Sequence, residues 1–151
     1  MEAKTCRFPW CDNETKPLTT GTRPVVCHEC TERFRIMMYD YKPNSMGSWF
    51  SSCYGTLKAR AKKQNLPFDL VVEDLYNIFP QDGCCPIFKV PFSYGKGGQH
   101  KWSASVDKII PELGYTKGNV QFVSMLANNM KCNSTEDELL IFCQHHLQEA
   151  T

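Results

Sequence analysis

Four cysteines near the start of the chain fall into two close pairs, Cys6 with Cys11 and Cys27 with Cys30. Paired thiolates on tight turns are what a tetrahedral zinc site uses. Pro9 lies inside the first pair, and His28 and Glu29 inside the second. The stretch 16–24 between them is rich in Thr, Pro and Gly, with too little apolar material to fold unaided. Metal binding would supply the missing folding energy. His28 is able to replace one thiolate, but the pairing favours four sulfurs with His28 as a bystander. Knuckles of this kind serve nucleic-acid proteins and plain scaffolds alike. A second set of donors lies far downstream. Asp107 and Asn128 are oxygen donors at opposite ends of a strand-loop-helix stretch, 102–131. If the helix packs back on the strand, the two converge on one hard cation such as Mg²⁺ or Mn²⁺.

The elements that must position these groups are readable from the pattern. Residues 105–109 alternate as a strand. Pro111, Gly114 and Gly118 break the chain into a loop. Val120, Phe122 and Val123 read as a second strand or an extended entry to a helix. Residues 124–131 read as a helix opening on a Ser cap. Residues 84–88 read as the first strand of this unit. Upstream, 31–40 has helical spacing, 42–47 is a linker, and 49–65 is an amphipathic helix with Trp49, Phe50, Cys53 and Leu57 facing a core. Residues 66–70 form a short extended link and 72–79 another helix, with Glu73 and Asp74 in its first turn. The glycine-rich 93–99 lacks the strand-before, helix-after setting of a nucleotide-binding loop. Thr135 and Glu138 make a capping box for a last helix over 136–147, with His145 and His146 at its end. Cys84, Cys85 and Cys132 lack paired knuckle spacing and are not expected to form a second zinc site.

The chain of 151 residues is 42% hydrophobic and carries a formal net charge of +1. That suffices for one core and sets up no global field toward nucleic acid, so any such attraction must be local. The most concentrated positive patch is Lys58, Arg60, Lys62 and Lys63, at the end of the helix over 49–65. It reads either as a solvated helix end favoured by the macrodipole or as a phosphate-contacting surface that positions DNA. No apolar run approaches the ~20 residues of a membrane span, and the start of the chain lacks the apolar core of a signal peptide. A cytoplasmic protein, without membrane association, is the expectation. In a reducing cytosol nine cysteines are more readily metal ligands than disulfides. The organisation expected is α+β: a zinc-stabilised four-cysteine module over 1–33, a helical region with the basic patch over 34–80, and a core with a C-terminal helix over 81–151.

Several short motifs, in order and spacing, resemble the HNH nucleases of ββα-metal fold. They are Asp107-x-Ile109, Gly114-Tyr115, Gly118-Asn119-Val120 and Asn128-x-x-Lys131. The nearest likeness is a small phage-type subset whose strand reads Ser-x-Asp-Arg/Lys-Ile. Lys58 to Lys63, Phe68-Asp69-Leu70, Glu73-Asp74-Leu75 and Cys85-Pro86-Ile87 are similar too, so the resemblance spans roughly 54–143. It implies a metal-dependent DNA endonuclease, working in the host-cell cytoplasm if phage-encoded, on double-stranded or branched DNA, and as a homodimer if both strands are cut. It also implies that Asp107 and Asn128 hold a catalytic Mg²⁺ or Mn²⁺, and that Asn119 ties the loop together through side-chain to backbone bonds. Lys131 either contacts a phosphate or caps its helix.

One departure concerns the general base. The family places a His after the metal-binding Asp; here it is Lys108. A lysine with a pKa of ~10.4 is a poor base at neutral pH, so Lys108 suits gripping the phosphate as a point charge. His100, Tyr115 or a metal-bound hydroxide then remain as ways to activate water. The competing reading is a protein that keeps the scaffold, has lost the base, and binds nucleic acid or a partner without cutting.

Overall fold

The computed structural model describes residues 5–15, 26–33, 46–93 and 100–149. Most of the helix expected over 31–40, and most of the stretches 16–24, 42–47 and 93–99, lie outside the described residues. The elements run α1 (His28–Arg33), α2 (Met46–Gln64), α3 (Val72–Ile78), β1 (Ala104–Lys108), a 3₁₀ turn (Pro111–Leu113), β2 (Val120–Ser124), α4 (Met125–Lys131) and α5 (Glu136–Glu149). The protein is thus α+β, with a two-stranded sheet, packed helices and a four-cysteine cluster at its start.

Helix α2 forms because its apolar residues recur at helical intervals. Trp49, Phe50, Leu57 and Ala61 are buried, while Lys58, Arg60, Lys62 and Lys63 stay in solvent. It stops at Asn65, whose φ of 53° leaves the helical region, with Leu66 N donating to Ala61 O at 2.9 Å. Such a left-handed terminus is a common helix stop. Asp74 Oδ2 accepts from Val71 N at 2.7 Å at the start of α3.

The core is aromatic. Phe8, from the first cysteine turn, has its ring 5.8 Å from Phe50, 5.5 Å from Tyr76 and 6.0 Å from Phe79. Phe79 and Trp49 carry the cluster on to Phe122 of β2, at 5.1 and 5.9 Å. Each such pair adds ~0.5–1.5 kcal/mol beyond its burial. The cysteine module, the helical stretch and the sheet therefore share one core.

Strands β1 and β2 pair antiparallel, with Val106 opposite Phe122 and Asp107 opposite Gln121. Side chains alternate across a strand, so Phe122 and Val106 share the aromatic face. Ser105, Asp107 and Gln121 point the other way, toward α4. Helix α4 opens on Ser124, whose Oγ accepts from Ala127 N at 3.2 Å, and turns back over that polar face.

Residues 84–88 are not the first strand of this unit. Cys84 makes a single bridge with Pro91, and the segment is a tight turn. Cys85 O accepts from Lys89 N at 2.8 Å, and Lys89 has a φ of 56°. Pro86 has no N–H to give a ladder, which suits a turn better than a strand. The pairing strands are β1 and β2. Helix α5 opens on the Thr135–Glu138 box, with Glu138 Oε2 accepting from Thr135 N at 2.8 Å and Thr135 Oγ1 from Glu138 N at 3.2 Å. It then stands off the body, leaving Leu140, Ile141, Phe142 and Leu147 exposed. No described helix is long and apolar enough to cross a membrane.

Candidate metal centre and cleft

The four N-terminal thiols converge. The Sγ atoms of Cys6, Cys11, Cys27 and Cys30 all lie within 4.8 Å of one another, and Cys11 Sγ is 3.7 Å from Cys27 Sγ. Zinc bonded to four sulfurs at ~2.3 Å in a tetrahedron sets sulfur-to-sulfur edges of about 3.8 Å. The cluster fits that ion. Backbone donors support it, with Cys27 N donating to Cys6 Sγ and Cys30 N to Cys27 Sγ, both at 3.4 Å. Burial pushes the Cys6 and Cys30 thiols up. Burial pushes Cys27 up as well, but the Cys30 N–H and neighbouring thiols outweigh it and bring its pKa below the ordinary value. The lowered Cys27 favours the thiolate that a cation binds, while the Cys6 and Cys30 thiols would give up their protons as the ion binds. His28 is not a member of the cluster.

The second centre is built on the polar face of the hairpin. Asn128 and Lys131 are three residues apart and so share one side of α4. Asn128 Nδ2 donates to Ser105 Oγ at 2.7 Å. Lys131 Nζ donates to Asp107 Oδ2 at 2.9 Å, to Ile109 O at 3.0 Å, and to Lys108 O. Gln121 Nε2 donates to the same Asp107 Oδ2 at 3.0 Å. Asp107 is only 4% exposed. Among the described residues, no donor is bonded to Asp107 Oδ1 or to Asn128 Oδ1.

Asp107, Asn128 and Lys108 line one cleft of about 750 Å³, with Arg60 and Lys63 from the end of α2, Tyr115 from the loop, Asn129 from α4, and Cys132 and Asn133 just beyond it. Lys108 Nζ lies 5.4 Å from the centre of the Tyr115 ring, a cation–π contact. Lys58 and Lys62 are exposed on α2 but do not line the cleft. A carboxylate oxygen and an amide oxygen, each without a donor and both on residues of one cleft, are a donor set that suits a hard divalent cation.

Asn119 lies outside the cleft and does structural work. Its Oδ1 accepts from Ile110 N at 2.9 Å, and its Nδ2 donates to Ile110 O at 2.9 Å and Gly114 O at 2.8 Å. That closes the loop between the strands. Gly114 has a φ of 66°, and a Cβ there would lie 2.4 Å from Pro67 O. Tyr115 N donates to Pro67 O at 3.0 Å, which docks the loop on the link after α2.

Two expectations are corrected by this geometry. Lys131 is not offered to a phosphate, because all three donors of its ammonium are engaged inside the unit. His100 does not line the cleft that holds Asp107. Its Nδ1 accepts from Trp102 N at 3.1 Å and its Nε2 lies 3.5 Å from Ser93 Oγ. Gln121 was the residue not anticipated. Only the hairpin register, which sets it opposite Asp107, identifies it.

No family model matches the sequence, and no curated protein matches it. Among solved structures the chain is similar to PacI, a rare-cutting HNH restriction endonuclease with a described mechanism of DNA perturbation. The identity is 14%, over 92% of this chain and 89% of that one, with a TM-score of 0.46. Likeness at that level lends no weight to a function, which has to be argued from the cleft.

Proposed function

We propose that the protein is a metal-dependent endonuclease of the HNH type, of the phage-type subset, hydrolysing phosphodiester bonds in DNA around a zinc-stabilised scaffold. One observation carries the reading. Asp107 and Asn128, from a strand and the helix folded back on it, line a common cleft, and among the described residues each keeps one oxygen clear of protein donors.

In this proposal Asp107 Oδ1 and Asn128 Oδ1 hold Mg²⁺ or Mn²⁺. The chemistry such a cation supplies is neutralisation of charge developing on the phosphate and the leaving oxygen. Arg60 and Lys63 on the cleft wall hold the sugar-phosphate backbone, with the exposed Lys58 and Lys62 on the same helix extending the contact. Lys108 grips the scissile phosphate. Tyr115, whose ring lies under Lys108, is the side chain proposed to orient the attacking water. A cut through both strands calls for two copies, hence a homodimer on duplex or branched DNA.

A second reading, a scaffold that binds nucleic acid without cutting it, draws on one observation. The Lys131 ammonium already neutralises Asp107, and no histidine lines the cleft among the described residues.

Incubation of supercoiled plasmid with the purified, zinc-loaded protein and Mg²⁺ or Mn²⁺ decides between them. The nuclease reading expects nicked or linear product, abolished by EDTA and by Asp107→Ala or Asn128→Ala in folded protein. An intact plasmid that is nonetheless bound, with steep salt dependence, establishes the second reading.

A further inference from the structure

The Asp107 carboxylate is held asymmetrically. Both of its hydrogen bonds, from Lys131 Nζ at 2.9 Å and Gln121 Nε2 at 3.0 Å, fall on Oδ2. Neither donor is loosely placed. The Lys131 side chain is 14% exposed and is fixed at two further points, the carbonyls of Lys108 and Ile109, where β1 ends. Gln121 is fixed by the register that sets it opposite Asp107. Among the described residues, one oxygen of the carboxylate is therefore occupied by donors and the other is not.

The consequence concerns which cation the cleft takes. We infer that Lys131, with Gln121, is a selectivity determinant that restricts Asp107 to one oxygen per cation. A monodentate carboxylate suits Mg²⁺, which is small, needs near-octahedral geometry at 2.0–2.1 Å and keeps several waters. Ca²⁺ takes more oxygens at longer distances and gains from a bidentate carboxylate. Chelation of Ca²⁺ through both oxygens would have to break two hydrogen bonds and strip a fixed ammonium of its counter-charge. Mg²⁺ bound through Oδ1 leaves them in place. The ammonium also repels either cation, but that effect is common to both and drops out of their ratio.

This inference rests on Asp107 being a metal ligand, and the test separates the two claims. Calorimetric titration of the zinc-loaded full chain with MgCl₂ and, separately, CaCl₂ gives the ratio of the two affinities. Asp107→Asn must remove the binding; divalent binding that is absent or insensitive to this change defeats the ligand assignment and the inference together. With that control in place, Lys131→Met should raise the Ca²⁺-to-Mg²⁺ affinity ratio about tenfold by freeing Oδ2. Lys131→Arg, which keeps a cationic donor, should hold the ratio near the wild-type value. Gln121→Leu removes one donor and leaves the helix pin intact, so it should move the ratio the same way by a smaller factor. It decides the matter if Lys131→Met does not fold. An unchanged ratio in folded Lys131→Met, or in Gln121→Leu where the lysine variant fails to fold, overturns the selectivity role while leaving the metal site standing.

Discussion

Asn119→Ala is the change whose cost is most fully written in the structure. The side chain is 5% exposed and makes three bonds to the loop backbone, at 2.9, 2.9 and 2.8 Å. A typical hydrogen bond contributes ~1 kcal/mol net, and a buried partner left unsatisfied costs ~1–3 kcal/mol. Water can reach part of the opened loop, so about 3 kcal/mol is the expected loss. For a chain of this length that is a fall of roughly 6–12 °C in melting temperature. Circular dichroism melts at matched zinc occupancy measure it. Asn119→Asp sharpens the test. It is nearly the same shape, but it turns the donor toward Ile110 O and Gly114 O into a third oxygen facing two carbonyls. It should be at least as destabilising as Ala. If Asn119→Ala melts within a degree of the wild type, or Asn119→Asp is neutral, then these bonds do not hold the loop.

Three further outcomes follow from the cysteine cluster and the loop. Stripping zinc with a strong chelator should do more than loosen the first turn, because Phe8 links the cysteine cluster to Phe50, Tyr76 and Phe79. The melting temperature should fall, and tryptophan fluorescence should change, since Trp10 stacks on Phe8 at 4.6 Å. Metal analysis should return about one zinc per chain, and none in Cys6→Ser/Cys27→Ser; full zinc in that variant would contradict the site. Gly114→Ala should cost ~1–3 kcal/mol for its positive φ alone and more for the 2.4 Å approach to Pro67 O, so a melt unchanged from the wild type would show that the loop shifts freely.

What could be read from the residues, and what could not, divides along a physical line. Local chemistry was legible. The spacing of Cys6, Cys11, Cys27 and Cys30 indicates a cluster that the fold brings together. Ser124 and the Thr135–Glu138 pair mark helix starts because capping is settled within a few residues. The apolar period of α2 shows which face is buried. Features set by register and long-range packing were not legible. Whether Lys131 points outward to a phosphate or inward to Asp107 depends on how α4 lies across the sheet. His100 is near Asp107 in sequence, yet the turn over 100–103 holds it off the cleft lining. Residues 84–88 carry strand-forming side chains, but Pro86 and the left-handed Lys89 close them into a turn. Gln121 becomes meaningful only once Asp107 is known to sit opposite it.

The nuclease proposal stands on one hard cation held between Asp107 and Asn128. A crystal of the zinc-loaded protein soaked in MnCl₂, with diffraction collected at an energy where manganese scatters anomalously, addresses it without recourse to activity. The expected anomalous peak lies in the cleft, about 2.0–2.4 Å from both Asp107 Oδ1 and Asn128 Oδ1, with Lys131 still on Oδ2. Manganese absent from the cleft, or bound there by other residues while both oxygens stay bare, would contradict it.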